Sequence, residues 1–284
     1  MSTKSKAQWV AAVLLVFVGH VLQAQAQDFK DIREAMTVLG SKDFNESWKA
    51  IEYLAARPHE STPALMRLVE KRDDRWISAM RALTFTKQEK VVLFYIKLLK
   101  ANFYNKDESG QRIRYGLGSK YGCLVMPNLY GSVLAEHLGE LGDGRAIPVL
   151  RQAVTEGDSQ IKEKAYWSLY ILEAISLDDL FRIAKNDKTS DVRILEIVMR
   201  IGSENIHTKT DFALEIFQRV VSEFPNEDYY VASAYFWEAQ CFTLLKQYDR
   251  AIQACNQVLR YPQFNEMVIQ VTKQRELIKR LEGR

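Results

Sequence analysis

From residue 27 onward, apolar positions recur at intervals of three and four, with no sustained alternation of β-branched residues. That is the period of amphipathic helices rather than strands. The stretch from Leu138 to Leu172 carries the pattern most plainly. Gly142 is placed to end one helix and Asp143 to cap the next, while Pro148 falls in a first turn, where a missing N–H does no harm. Ile147, Leu150 and Val154 are expected to line one face. After a turn at Glu156-Gly157-Asp158, the second helix carries Ile161, Ala165, Leu169 and Leu172. A single hairpin of this kind cannot bury both of its faces, so the pattern predicts a neighbour stacked on each side.

The segment from Asp143 to Leu172, with its Gly-Asp-x-Arg-Ala-Ile-Pro-x-Leu opening, resembles a HEAT repeat of the short bacterial type first noted in phycobilisome lyases. A second copy is legible at Ser61-Thr62-Pro63-Ala64-Leu65-Met66-Arg67-Leu68, followed by Asp74, Trp76, Ile77, Ala79, Ala82 and Leu83. A third covers Leu177 to Ile201, with Leu180, Ile183 and Ala184 on its first helix and Asp191-Val192-Arg193 opening its second. The first of these further copies lacks the Gly-Asp turn and the second lacks the proline.

Toward the C-terminus the spacing changes. Tyr235, Ala239 and Phe242 precede Tyr248, then Ala251, Cys255 and Val258, with Pro262 closing the second helix. This resembles a tetratricopeptide repeat, in which small residues such as Ala239 and Ala251 let two antiparallel helices cross closely. Ala213, Phe217, Val220 and Pro225 repeat the second half of the pattern upstream. Residues 264 to 282 supply a charged final helix with Val268, Val271, Leu277 and Leu281 as its expected apolar stripe. In family members that clamp a terminal carboxylate, Lys, Arg and Asn project from the concave face of the first helix. The matching positions here are Ser233, Phe236, Gln240 and Thr243, none of them cationic, so the resemblance implies apolar and amide contacts to any ligand in the groove.

Two segments stand outside the repeats. Lys4 and Lys6 precede an apolar run from Trp9 to Leu22 that ends in Ala24-Gln25-Ala26, which reads as a cleaved secretory signal over residues 1–26. The run holds about 14 residues, short of the roughly 20 needed to cross a bilayer. Residues 105–122 interrupt the helical period with Arg112, Arg114 and Lys120 as cations and Tyr115 and Tyr121 as aromatics. Long interruptions in compact arrays often carry function. This one reads either as an ordinary insertion or as a loop that contacts a ligand.

Composition narrows the field. Of 284 residues, 47% are apolar and 26% charged, with only 13 Gly and 6 Pro, which disfavours disorder and turn-rich β architecture. The net charge of +3 falls to +1 once Lys4 and Lys6 leave with the signal, so no nucleic-acid partner is implied. Cys123, Cys241 and Cys255 have no C-x-x-C spacing; Cys241 and Cys255 are either a disulfide or two small core residues on adjacent helices. His59, His137 and His207 lie in separate repeats, and Glu136-His137 with Glu140 reads as a satisfied or exposed helical histidine rather than a ligand. Gly139-x-x-Gly142-x-Gly144 follows a helix and lacks a Gly-Lys-Ser/Thr end, so it reads as helix punctuation and not a phosphate loop. Most of the aromatic concentration at Tyr229, Tyr230, Tyr235, Phe236, Trp237 and Phe242 is expected to be repeat core, with one or two exposed for recognition. Asn45-Glu46-Ser47 is a glycosylation sequon only if the secretory route is eukaryotic.

Together these features predict an all-α solenoid of about 14 helices, HEAT-like over residues 27–104 and 123–205 and tetratricopeptide-like over 206–284. The expected role is a non-enzymatic scaffold or adaptor, periplasmic or secreted, that binds a protein or peptide without cofactor or metal. Candidate contacts are Arg112, Arg114, Tyr115, Lys120 and Tyr121 in the interruption, and Phe236 and Gln240 in the C-terminal repeat. A lyase-like accessory and a structural part of an envelope assembly are the alternatives.

Overall fold

The computed structural model describes residues 29–104, 129–186 and 193–283, so the signal segment, the 105–122 interruption, Cys123 and the Asp191-Val192 pair lie outside it. Among the described residues there are fourteen α-helices and no strand, and the fold is an all-α helical-repeat solenoid. The chain divides into two compact units, one ending at Ala174 and the other beginning at Ile175.

In the first unit, α1 (Ile32–Val38), α2 (Phe44–Ala55), α3 (Pro58–Lys71) and α4 (Trp76–Phe85) are followed by α5 (Glu89–Tyr104), α6 (Leu129–Leu141), α7 (Ile147–Glu156) and α8 (Ser159–Ile171). Consecutive helices pair as hairpins: α3 with α4, α5 with α6, α7 with α8. Alternate helices also touch, α2 on α4, α4 on α6 and α6 on α8. That is the stacking a hairpin with two apolar faces requires. Leu54, Leu65, Met80, Leu83, Tyr95, Leu134 and Leu138 fill the core between the layers.

Several helix starts follow from single side chains. Asp31, Asp43 and Asp158 each cap a helix by accepting backbone N–H bonds, Asp158 from Ile161 at 3.0 Å. Asp143 does the same for the 3₁₀ turn Gly144–Ala146 that leads into α7, and Arg145 clamps the cap from the side, holding the Asp143 carboxyl down at about 2. Gly142, at φ +75°, ends α6 in the left-handed conformation a side chain would resist. Other turns reach that conformation without glycine, at Arg72, Lys87, Glu173 and Lys246. A chain with few glycines therefore still makes hairpins.

The structure departs from the sequence pattern in five places. The copy legible from Ser61 starts earlier, since α3 begins at Pro58 and Pro63 lies in its second turn; Ser61 Oγ anchors that start by donating to Leu54 O at 2.7 Å. Ile77 is exposed, because α4 turns Trp76, Ala79, Met80 and Leu83 inward. On α7 the buried stripe is Val149, Leu150 and Ala153, with Ile147 and Val154 half-buried at its edges. On α9 (Leu177–Asn186) it is Leu180 and Phe181 rather than Ile183 and Ala184 that are buried.

The fifth departure lies in the second unit, which continues with α10 (Ile194–Asn205), α11 (Thr210–Glu223), α12 (Asp228–Leu244), α13 (Tyr248–Val258) and α14 (Asn265–Leu281). Each packs on the next, and α10 on α12 and α12 on α14 form the alternate contacts. The final helix buries Val271 and Ile278, two turns apart, while Leu277 and Leu281 are exposed. Leu277 precedes Ile278 and so points about 100° away from the packed face.

Candidate binding groove

The hairpin of α12 and α13 crosses where Ala239 and Ala251 are both fully buried. Small side chains there bring the backbones close, and Cys241, Phe242, Cys255 and Val258 fill the space around them. In the preceding hairpin Gly202 plays a similar part: a Cβ on it would stand 2.6 Å from the Phe217 ring of α11.

The opposite face of α12 carries Tyr229, Ser233, Phe236 and Trp237, spaced to fall on one side of a helix. With Phe264, Glu266, Met267 and Gln270 at the start of α14, they enclose an open groove of about 470 Å³. The rings meet edge to face in two pairs, Tyr229 with Phe264 (5.5 Å, 82°) and Phe236 with Trp237 (5.1 Å, 75°). Trp237 also stacks on Phe217 (6.5 Å, 18°), which ties the groove to the core of the α10 and α11 hairpin.

Of the residues singled out from sequence, Ser233 and Phe236 line the groove, whereas Gln240 and Thr243 do not. Thr243 turns its hydroxyl to Ala239 O at 2.6 Å. Arg112, Arg114, Tyr115, Lys120 and Tyr121 lie outside the described residues. The aromatic cluster is not mostly core: Phe242 is buried, Tyr230, Tyr235, Phe236 and Trp237 are half-buried, and Tyr229 is 55% exposed. Sequence reasoning missed Tyr229 and Trp237 as lining residues, although their spacing from Ser233 and Phe236 was a readable signal. It also missed the whole contribution of α14, for which the helical period offers none.

On α12 itself, Glu238 is 7% exposed and does not line the groove. Burial pushes its carboxyl up to about 7, and the nearby Arg250 guanidinium only partly offsets this. Cys241, one turn on, is free and buried, as is Cys255 on α13. Burial raises their thiols to about 12 and about 11. Neither is poised as a thiolate nucleophile.

Elsewhere the charged clusters satisfy themselves. Between α9 and α11, Arg219 lies 3.8 Å over the Phe181 ring and pairs with Asp178 at 2.7 Å and Glu223 at 2.9 Å; Lys185 takes the other Glu223 oxygen at 2.8 Å. In the first unit, His137 is buried with Nδ1 2.6 Å from Glu140 Oε2, and Glu136 pairs with Lys164 at 3.2 Å. Burial works to raise the Glu140 pKa, but the His137 hydrogen bond and the charges of His137, Lys87 and Arg81 hold it below the ordinary value. No group of His, Cys, Asp and Glu suited to a metal ion occurs among the described residues. Nor is any described helix long and apolar enough to cross a membrane.

Residues 233–263, which run from the middle of α12 through α13 to the foot of α14, match the family model of the tetratricopeptide repeat. This C-terminal hairpin is tetratricopeptide-like, and such repeats typically bind protein partners. No curated protein and no solved structure matches the chain.

Proposed function

We propose that this chain is a non-enzymatic, exported scaffold or adaptor that docks a protein or peptide partner in the groove between α12 and α14. The observation that carries this reading is the groove itself: an open, aromatic-lined space of about 470 Å³ beside the hairpin that matches a protein-binding repeat. Its volume lies within the roughly 300–1,000 Å³ usual for binding pockets. Its lining holds aromatic, amide and thioether groups with one hydroxyl, Ser233, and one carboxylate, Glu266, which suits docking through apolar and polar contacts. Phe236 is a contact residue in this reading, with Gln240 one turn beyond; the interruption bearing Arg112, Arg114, Tyr115, Lys120 and Tyr121 is a second contact segment.

The first 26 residues act as a cleaved signal, so the working protein is periplasmic or secreted. The repeats before about residue 205 are of the short HEAT type, supported by the Gly142–Asp143 turn and the stacked hairpins of the first unit. In a repeat fold each hairpin keeps its own core when a partner docks on its surface.

A photo-crosslinking side chain placed at position 236 in producing cells tests the reading, with position 253 on the exposed face of α13 as control. Discrete adducts at 236 and none at 253 are expected. Equal labelling at both positions would remove the groove as the docking site. N-terminal sequencing of the exported form should begin after Ala26, and a retained Met1 would overturn export by cleavage.

A further inference from the structure

We propose that the α12 and α14 groove receives a cationic side chain, lysine or arginine, carried by the partner and seated among the four rings against Glu266. This rests on the docking role assigned to the groove above and names the chemistry of what enters it.

Charge complementarity carries the inference. The faces of aromatic rings are electrostatically negative, and two edge-to-face pairs line this one groove. The single ionisable carboxylate in the lining is Glu266, and no Lys or Arg contributes to it. Among the described residues Glu266 makes no hydrogen bond or ion pair, so its charge is not spent inside the chain. Asp228 adds a second negative charge at the rim, where its Oδ2 accepts from the lining residue Gln263 at 3.5 Å. Both carboxylates lie in the first turn of a helix, whose end carries about half a positive charge, so the pair still leaves the groove net negative.

The second unit contains its own precedent. In the pocket between α9 and α11 the same ingredients occur together, a ring face and two carboxylates, and there the chain supplies the cation itself, Arg219 over Phe181. Arg250 likewise lies 4.2 Å over Phe242. The α12 and α14 groove has the rings and the carboxylates but takes no cation from its own walls. A partner with an acidic segment or a free C-terminal carboxylate in this groove would instead meet Glu266, Asp228 and ring faces of like sign.

The test uses the full chain and three randomised dodecapeptide pools that differ only in carrying Lys, Gln or Glu at the same fixed positions. The Lys pool should be retained about tenfold more strongly than the Gln pool, with the Glu pool weakest. Retention should fall as salt is added. Glu266→Lys, at an exposed position, and Phe236→Ala should each lower retention of the Lys pool about fivefold to tenfold. Unchanged helicity by circular dichroism keeps those losses separate from unfolding. Equal retention of Lys and Gln pools, or an unaffected Glu266→Lys variant, would overturn the cationic assignment while leaving a docking groove. Retention of no pool would remove the groove as a docking site, and the cationic assignment with it.

Discussion

Gly139 of α6 lies against Ser168 of α8 so closely that a Cβ on the glycine would stand 2.8 Å from the serine Cα, while Ser168 Oγ donates to Ala135 O at 2.7 Å across the same contact. The obstruction is backbone, which cannot swing aside as a side-chain tip can. Gly139 is therefore a packing residue, and only Gly142, with its positive φ and open surroundings, is helix punctuation. Gly139→Ala should destabilise the protein by about 2–3 kcal/mol, against about 1 kcal/mol for Gly142→Ala. Urea denaturation of the two variants checks this, and equal losses would contradict the close approach.

Glu238 should make stability fall as pH rises from about 4.5 toward neutrality. Its folded pKa of about 7 lies above the ordinary 4.5, so between those values the folded chain holds a proton that the unfolded chain has released. Stability is greatest below about pH 4.5 as far as this group is concerned, declines toward pH 7 and is level above it, a change of about 3 kcal/mol. Glu238→Gln should remove the decline and stabilise the protein at pH 8. A pH series of denaturation midpoints in which wild type and variant run parallel would refute it.

The buried thiols should be silent in the native state. With Cys241 and Cys255 raised to about 12 and about 11 and both inaccessible, neither should react with an alkylating probe at pH 8 until the C-terminal hairpin opens. Labelling measured against urea should rise together with the loss of helicity. Full labelling before that transition would place the thiols outside the core.

Lys246, at φ +58°, closes the turn between α12 and α13, where Lys246 N bonds to Thr243 O at 3.0 Å and Gln247 N to Phe242 O at 2.8 Å. The left-handed conformation is costly for a branched side chain and free for glycine. Lys246→Gly should be neutral or stabilising by up to about 1 kcal/mol, and Lys246→Val destabilising by about 1–2 kcal/mol. Thermal melts of the two variants displaced in the same direction would count against the turn.

Local signals in the sequence were read well where the physics is local. The Gly142-Asp143 punctuation, the turn at Glu156-Gly157-Asp158 and the small residues Ala239 and Ala251 each act through backbone conformation or size within a few positions, and each is where the spacing placed it. The errors fall where a helix has more apolar residues than one face can hold. On α14 the sequence offers Val268, Ile269, Val271, Leu277, Ile278 and Leu281, and periodicity alone does not say which subset meets α13. The neighbour selects Val271 and Ile278.

By itself, the order of residues determined that the chain is helical, where its hairpins turn, and that its C-terminal hairpin is built for close crossing, because these depend on period, caps and side-chain size within a few residues. Only the tertiary structure decided that Gly139 is a contact and not a stop, that Glu238 is deprived of water, and that Phe264, Glu266 and Met267 complete a groove begun by Tyr229, Phe236 and Trp237. Those depend on which helix lies opposite, and an opposing surface is set by packing across many residues of intervening chain.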